Sequence, residues 1–182
     1  MTKDTKVIND STAIPSLIQS KRQIERYNLD VDAQAILVAS RLMAAGAKLG
    51  HAAEIHFSRF DLSTGRYRLL ADLEDNEGEE LPSQLAEHLG VTRATVTGLI
   101  DTLERDGLVS RRPSSHDGRQ KSVILTEEGR KKLREMAPEH FARLEAMVGS
   151  LSIEERSVFL DLLGRVTQGI SALTDESGKP NE

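Results

Sequence analysis

Apolar residues recur at helical spacing along most of the chain, and one short stretch departs from that spacing. The pattern predicts helices over about 16–28, 33–56, 64–73, 82–89, 93–106, 127–148 and 154–173. The segments LVSRR and KSVILT are β-like instead, and the turn-forming residues PSSHDGRQ lie between them. The chain is therefore predicted to be mainly α-helical, with one β-hairpin that has a long polar tip.

Helix-capping residues support these boundaries. Residues suited to capping precede five of the predicted helices: Asp32, Ser63 or Thr64, Thr92, Thr126 and Ser152, the last within the capping box SIEE. Pro82 lies in the first turn of the short helix LPSQLAEHLG, and Gly90 ends it. Only three residues, 90–92, separate this helix from the next, a spacing that favours a helix-turn-helix.

The helix predicted over 33–56 is apolar around nearly its whole circumference. Its apolar side chains include Ile36, Leu37, Val38, Leu42, Met43, Leu49 and Ile55. We expect such a helix to be buried on several sides. Because a small monomer rarely encloses a helix so fully, an oligomer interface is the natural explanation.

Composition narrows the class of protein. With 182 residues the chain forms one domain or two small ones. Cysteine is absent, which excludes disulfides, thiolate metal sites and thiol redox switches. The polar start MTKDTKVIND predicts no signal peptide, and no apolar run is long enough to span a bilayer. We therefore expect a cytoplasmic protein with no membrane partner.

Charge is distributed unevenly. The net charge is −5, yet residues 81–134 hold 10 basic and 7 acidic side chains. Screening confines each charge to its neighbourhood, so this local excess is compatible with binding to phosphates.

The helix predicted over 93–106 has a composition that is poor for a helix, with threonine at 92, 95, 97 and 102 and glycine at 98. Its predicted buried stripe is Val91, Val96, Leu99, Ile100 and Leu103. The opposite side presents Thr92, Arg93, Thr95, Thr97 and Gly98 near the N-terminus. Small hydroxyls, methyls and an arginine suit the base edges of a DNA major groove, and a glycine permits close approach. These five residues are the predicted recognition surface.

The hairpin supplies a second predicted DNA contact. Its candidate residues are Arg111, Arg112, Ser115, His116, Asp117, Arg119 and Lys121. An arginine at a projecting tip suits the negative potential of a narrow minor groove, and Asp117 could brace Arg119. Alternatively, Arg111 and Arg112 belong to a solvated strand edge, and Asp117 and Arg119 only close the turn.

Several motifs occur together in this region: LA at 85–86, T-x-x-T-V-T at 92–97, LE at 103–104 with GLV at 107–109, D-x-R at 117–119 and LT-x-x-G at 125–129. As a set they resemble the MarR-type (multiple antibiotic resistance) regulators over roughly residues 33–173. The resemblance implies a winged helix-turn-helix lobe (61–133) and a helical dimerisation region formed by N- and C-terminal helices (32–60 and 134–175). Residues 1–31 form an N-terminal extension that is longer than is usual for the family, and 176–182 a flexible tail.

The family also implies partners. A homodimer binds a pseudo-palindromic site in double-stranded DNA, and a crevice between the dimer helices and the DNA-binding lobe takes a small aromatic or anionic effector. Leu81 replaces the hydroxyl cap expected before Pro82, so phosphate contact there depends on backbone N–H groups, Ser83 and Gln84.

The crevice candidates are His51, His56, Arg59 and Tyr67, for which surface and core roles remain the alternatives. His51 and His56 are five residues apart rather than the four that align two imidazoles on one helical face. We therefore expect no metal site and no cofactor.

The leading hypothesis is that the protein is a ligand-responsive transcriptional regulator. Regulators of this kind are more often repressors than activators. A winged-helix adaptor that binds only protein is the alternative, favoured by the acidic residues Asp101 and Glu104 on the same helix. No nucleophile–base pair, phosphate loop or paired-carboxylate helix points to an enzyme.

Overall fold

The computed structural model describes residues 16–113 and 121–174, which are helical apart from one small sheet. The helices are α1 (Leu17–Tyr27), α2 (Ala33–Ser58), α3 (Thr64–Asp75), α4 (Pro82–Leu89), α5 (Arg93–Arg105), α6 (Glu127–Met147) and α7 (Ile153–Gln168). All seven predicted helices are present. The last one ends earlier than predicted, at Gln168, and a 3-10 turn at Ile170–Leu173 follows it. Three segments that carry predictions lie outside the described residues: 1–15, 175–182, and 114–120 at the tip of the predicted hairpin (108–126), which we call the wing.

Side-chain caps fix the starts of these helices as the sequence predicts. The Asp32 carboxylate accepts hydrogen bonds from the backbone N–H groups of Gln34 and Ala35, at 2.9 and 3.2 Å. Ser63, rather than Thr64, caps α3. Such a cap typically contributes about 1 kcal/mol to helix stability.

The sheet has three strands rather than the two of the predicted hairpin. They are β1 (Glu79–Glu80), β2 (Val109–Pro113) and β3 (Lys121–Leu125), antiparallel in the order β1-β3-β2. The sequence pattern predicts no strand at 79–80. Gly78, at φ 86°, reverses the chain there, and its carbonyl accepts a hydrogen bond from Leu125 N at 2.8 Å. Glu79 and Glu80 then pair with Ile124 and Val123, a long-range pairing that local sequence does not reveal.

The core of the lobe lies where α3, α4 and α5 contact one another and the sheet. Its most deeply buried apolar side chains are Leu69, Leu70, Leu73, Leu85, Val96, Ile100, Leu103, Val109 and Val123. Full burial of each large aliphatic side chain stabilises the fold by roughly 1.5–3 kcal/mol. This core fixes the orientation of α4, α5 and the wing.

The chain divides into two compact units, Met1–Leu125 and Thr126–Glu182. The first contains α1 to α5 and the sheet. The second contains α6, α7 and the 3-10 turn, and Leu133, Met136 and His140 are its buried α6 side chains. The dimerisation and DNA-binding boundaries given above stay a prediction.

Helix α2 is largely exposed in the single chain, so its expected burial on several sides stays a prediction about an oligomer. Val38, Met43, Leu49 and Ile55 are each more than half exposed. An apolar helix surface of this kind is costly in water, so it marks a surface that associates with another apolar surface. Within the described ranges, no helix is both long and apolar enough to cross a membrane.

Candidate nucleic-acid interface

The turn between α4 and α5 has the geometry that the sequence predicts for a helix-turn-helix. Gly90 adopts a left-handed conformation, φ 66°, which favours glycine, and it ends α4. Val91 N donates to Ala86 O at 3.1 Å across the turn. The Thr92 hydroxyl then accepts a hydrogen bond from Thr95 N at 3.1 Å and caps α5.

Helix α5 buries its predicted apolar stripe and exposes its predicted recognition residues. Val96, Ile100 and Leu103 are fully buried, whereas Val91 and Leu99 are half-buried. The five predicted recognition residues are all exposed. Burial of one stripe therefore presents the opposite, N-terminal face of α5 to solvent.

The threonine hydroxyls of α5 are used within the helix itself. Thr97 donates to Arg93 O at 2.9 Å and Thr102 donates to Leu99 O at 2.8 Å, while the Thr92 and Thr95 hydroxyls lie 2.9 Å apart. These bonds satisfy the hydroxyls locally. The exposed Thr97 therefore has its methyl group and one acceptor site left for a partner. These suit contact with a thymine methyl better than contact with a hydrogen-bond acceptor on a base.

Four of the predicted DNA contacts, from three separate elements, line one open groove of about 600 Å³. The lining residues are Pro82, Ser83, Arg93, Thr97 and Lys121. Pro82 was not among the predicted contacts, because its role in starting α4 already explains its presence in the sequence. The groove joins the start of α4, the outer face of α5 and the start of β3.

Gln84 has a structural role at the start of α4. Its Oε1 accepts a hydrogen bond from Leu81 N at 2.9 Å, which is one of the two bonds of a capping box. The other bond is missing, because the Leu81 side chain has no hydroxyl to accept it. Ser83 is exposed and lines the groove. Phosphate contact by Ser83 and Gln84 stays a prediction.

Arg111 ties the wing to α5. Its guanidinium forms ion pairs with Asp101 and with Glu104, and its backbone N–H donates to Glu104 Oε1 at 3.1 Å. The hydrogen bond to Asp101 raises the pKa of Arg111 further above its usual value. The two acidic residues that favoured an adaptor are thus partners of the wing. A phosphate could reach Arg111 only by competing with two carboxylates.

We predict that Arg111→Ala lowers the free energy of unfolding by about 1 kcal/mol, because it removes two charge-assisted bonds at a partly exposed site. Urea unfolding followed by circular dichroism measures the change. Arg112→Ala is the matched control on the same strand; Arg112 is 57% exposed and pairs only with Glu79 among the ion pairs described, at 2.5 Å. Equal losses in the two variants would show that Arg111 does not anchor the wing.

The wing residues Ser115, His116, Asp117 and Arg119 lie outside the described residues. Lys121, at the start of β3, is exposed and lines the groove. DNA contact by Arg112 and by the residues of the tip stays a prediction.

Two of the four crevice candidates belong to one aromatic cluster. Tyr67 stacks on Phe57 with ring centroids 4.2 Å apart, and His56 meets Phe57 edge-on at 5.0 Å. Burial, followed by the charges of Asp75 and Glu74, raises the pKa of Tyr67. His51 and Arg59 are exposed, so the structure does not place all four candidates in one environment.

A second polar cluster was not predicted from the sequence. It consists of Asp72 of α3, Glu80 of β1 and His88 of α4. One carboxylate oxygen or imidazole nitrogen from each lies within 4.8 Å of the other two. Burial and the neighbouring Asp72 raise the pKa of Glu80 to about 7, and the hydrogen bond to Asp72 raises the pKa of His88. Only the pairing of β1 with β3 brings Glu80 here, so spacing along the chain gave no signal.

Comparisons with known proteins agree with this architecture. Residues 62–121 match the model of the MarR family. The chain is 36% identical to the HTH-type transcriptional repressor YetL of Bacillus subtilis (strain 168), over 80% of this chain and 88% of that protein.

Two solved structures are also similar to the chain. Sco3205, a MarR family transcriptional regulator from Streptomyces coelicolor in complex with DNA, has a TM-score of 0.71 and 25% identity over 78% of this chain and 90% of that chain. The PcaV transcriptional regulator from Streptomyces coelicolor, in complex with its natural ligand, has a TM-score of 0.62 and 23% identity over 76% and 96% of the two chains. At this identity, the likeness to PcaV shows a shared fold only.

Proposed function

Because the chain belongs to the MarR family, it is a transcriptional regulator, and we propose that it represses transcription as a homodimer bound to a pseudo-palindromic site in double-stranded DNA. In this proposal it acts in the cytoplasm and by binding alone, without an enzymatic step. A small aromatic or anionic effector releases it from the DNA.

The groove between α4, α5 and β3 is the observation that carries this proposal. Arg93 and Lys121 supply positive charge to it, and Ser83 and Thr97 supply small side chains. Cations that line the groove suit the phosphate backbone, and a short exposed face at the start of α5 suits base edges. YetL is named a repressor, and Sco3205 is described in complex with DNA.

Exposed apolar surfaces support the homodimer. In addition to α2, helix α7 exposes Val158, Phe159, Leu160, Leu162 and Leu163. Large apolar patches on a single chain mark surfaces that associate. A twofold dimer presents two α5 helices to two half-sites, which is why the site is proposed to be pseudo-palindromic.

The effector proposal is supported by the aromatic cluster at the end of α2 and the start of α3. Phe57 is buried, and the half-buried His56 and Tyr67 rings that pack on it provide an apolar environment with polar edges, which suits a flat aromatic compound. PcaV is described with its natural ligand. An effector that binds better to a dimer with altered lobe spacing lowers DNA affinity by shifting the population toward that form.

Selection from a randomised duplex library tests the function. The full chain is expected to enrich sequences with two related half-sites about 10 base pairs apart, centre to centre. The affinity should fall steeply with salt, because phosphate binding releases counterions. Failure to enrich any sequence, or affinity indifferent to salt, would overturn DNA binding and favour the protein adaptor.

We predict that Gly98→Ala separates folding from DNA binding. A Cβ at 98 would meet no atom within 4 Å, so alanine should stabilise α5 by roughly 0.5–1 kcal/mol. The same methyl occupies space at the recognition surface, so DNA affinity should fall several-fold. Thermal unfolding and a binding titration on the selected duplex measure the two effects. An unchanged or increased affinity would show that the backbone at Gly98 does not approach the DNA closely.

A further inference from the structure

Three side chains from different elements converge at one place in the lobe: Asp72 of α3, Glu80 of β1 and His88 of α4. His88 Nδ1 lies 3.1 Å from Asp72 Oδ2 and 3.3 Å from Glu80 Oε1. None of the three lines the groove described above. The cluster is therefore a separate feature of the lobe, which the proposed DNA binding does not use.

Glu80 supplies the cluster with a buried ligand atom that is still available. Its side chain is only 5% exposed, and its Oε2 is buried with no hydrogen-bond partner. A buried carboxylate oxygen without a donor costs free energy, and a second carboxylate, Asp72, lies beside it. A bound cation satisfies both conditions, because it ligates the oxygens and offsets their repulsion.

We propose that Asp72, Glu80 and His88 bind a divalent transition-metal cation, and that Zn²⁺ fits the site best. One imidazole with two carboxylates is a ligand set that transition metals accept, whereas Mg²⁺ and Ca²⁺ prefer oxygen ligands alone. The distances of 3.1 and 3.3 Å from His88 Nδ1 to the two carboxylates are close to those that this ion requires. Ligands about 2.0–2.2 Å from a tetrahedral zinc lie about 3.3–3.6 Å from one another.

The surroundings of the cluster leave room for a fourth ligand. The His88 side chain is 40% exposed, so water can complete the coordination from the solvent side. The ion would join three elements, α3, β1 and α4, through one ligand from each. Glu80 pairs with Val123 of β3, and His88 lies in the last turn of α4. Metal binding therefore stabilises the framework that carries the groove.

Calorimetric titration of the metal-free, full-length protein with ZnCl₂, and separately with MnCl₂, tests the proposal. We expect one site per chain with Zn²⁺ bound more tightly than Mn²⁺. Glu80→Gln, which keeps the shape of the side chain, and His88→Gln should each weaken Zn²⁺ binding at least tenfold. Asp75→Asn is the matched control, because it removes an exposed acid one turn from Asp72 on α3; its affinity should equal that of the parent protein.

Thermal unfolding provides an independent measurement. Zn²⁺ at about 100 times its Kd should raise the Tm of the parent protein and of Asp75→Asn by about 5–10 °C, and that of Glu80→Gln and His88→Gln by much less. Absence of Zn²⁺ binding below millimolar concentration overturns the proposal. Binding that persists in both variants at the parent affinity locates the ion elsewhere and overturns it as well. If His88→Gln does not fold, Glu80→Gln alone decides.

Discussion

Replacing Arg93 by alanine is expected to weaken binding to the selected duplex by on the order of 10–100-fold, with little change in stability. Arg93 is exposed at the first position of α5 and lines the groove beside Ser83 and Thr97. A guanidinium at this position reaches either a guanine edge or a phosphate. Loss of a base contact would relax specificity at one position, whereas loss of a phosphate contact would lower affinity for all sequences and reduce the salt dependence.

Arg105→Ala is the matched control for this prediction. Arg105 lies at the other end of α5 and is 74% exposed, and its substitution removes the same charge. Fluorescence anisotropy titrations of both variants at one salt concentration give the comparison. Equal losses would mean that α5 contributes only general charge, and an unchanged affinity in Arg93→Ala would remove α5 from the interface.

The double substitution Phe159→Glu and Val166→Glu is expected to give a monomer that binds the duplex at least about 100-fold more weakly. Both side chains are substantially exposed on α7, and their seven-residue spacing places them on one face of the helix. Two carboxylates on an apolar contact surface must be desolvated for the dimer to form. Without the dimer, the second half-site no longer adds to affinity through effective concentration.

Analytical ultracentrifugation measures the assembly, and circular dichroism measures whether the variant remains helical. Arg165→Ala is the control on the same helix, because Arg165 is 71% exposed and polar; it should stay dimeric. A double variant that remains dimeric would show that this face of α7 is not the contact. A folded monomer with the parent DNA affinity would show that dimerisation is not required for binding.

Features set by neighbouring residues could be predicted from the sequence. Asp32, Thr92 and Thr126 cap helices where their positions indicate, and Gly90 makes the turn before α5. Each of these depends on hydrogen bonds within a few residues. The outer face of α5 followed in the same way, since burial of its apolar stripe determines which side chains remain outside.

Features set by long-range contacts could not be predicted. The strand β1 exists because Glu79 and Glu80 pair with β3, more than 40 residues later in the chain. The cluster with Asp72 and His88 depends on that pairing. Similarly, the ion pairs of Arg111 with Asp101 and Glu104 require the wing to fold back on α5. In each case the residues near one partner in the sequence do not indicate which distant residue it contacts.

Site-directed DNA cleavage tests the central claim most directly. The chain has no cysteine, so Thr97→Cys provides a single thiol for an iron chelate that cleaves nearby DNA. With the bound duplex, the conjugate should cut in two symmetric clusters about one helical turn apart, and the conjugate of Arg105→Cys should cut little. Strong binding with no cleavage from position 97, or equal cleavage from both positions, would contradict the assignment of α5 as the recognition helix.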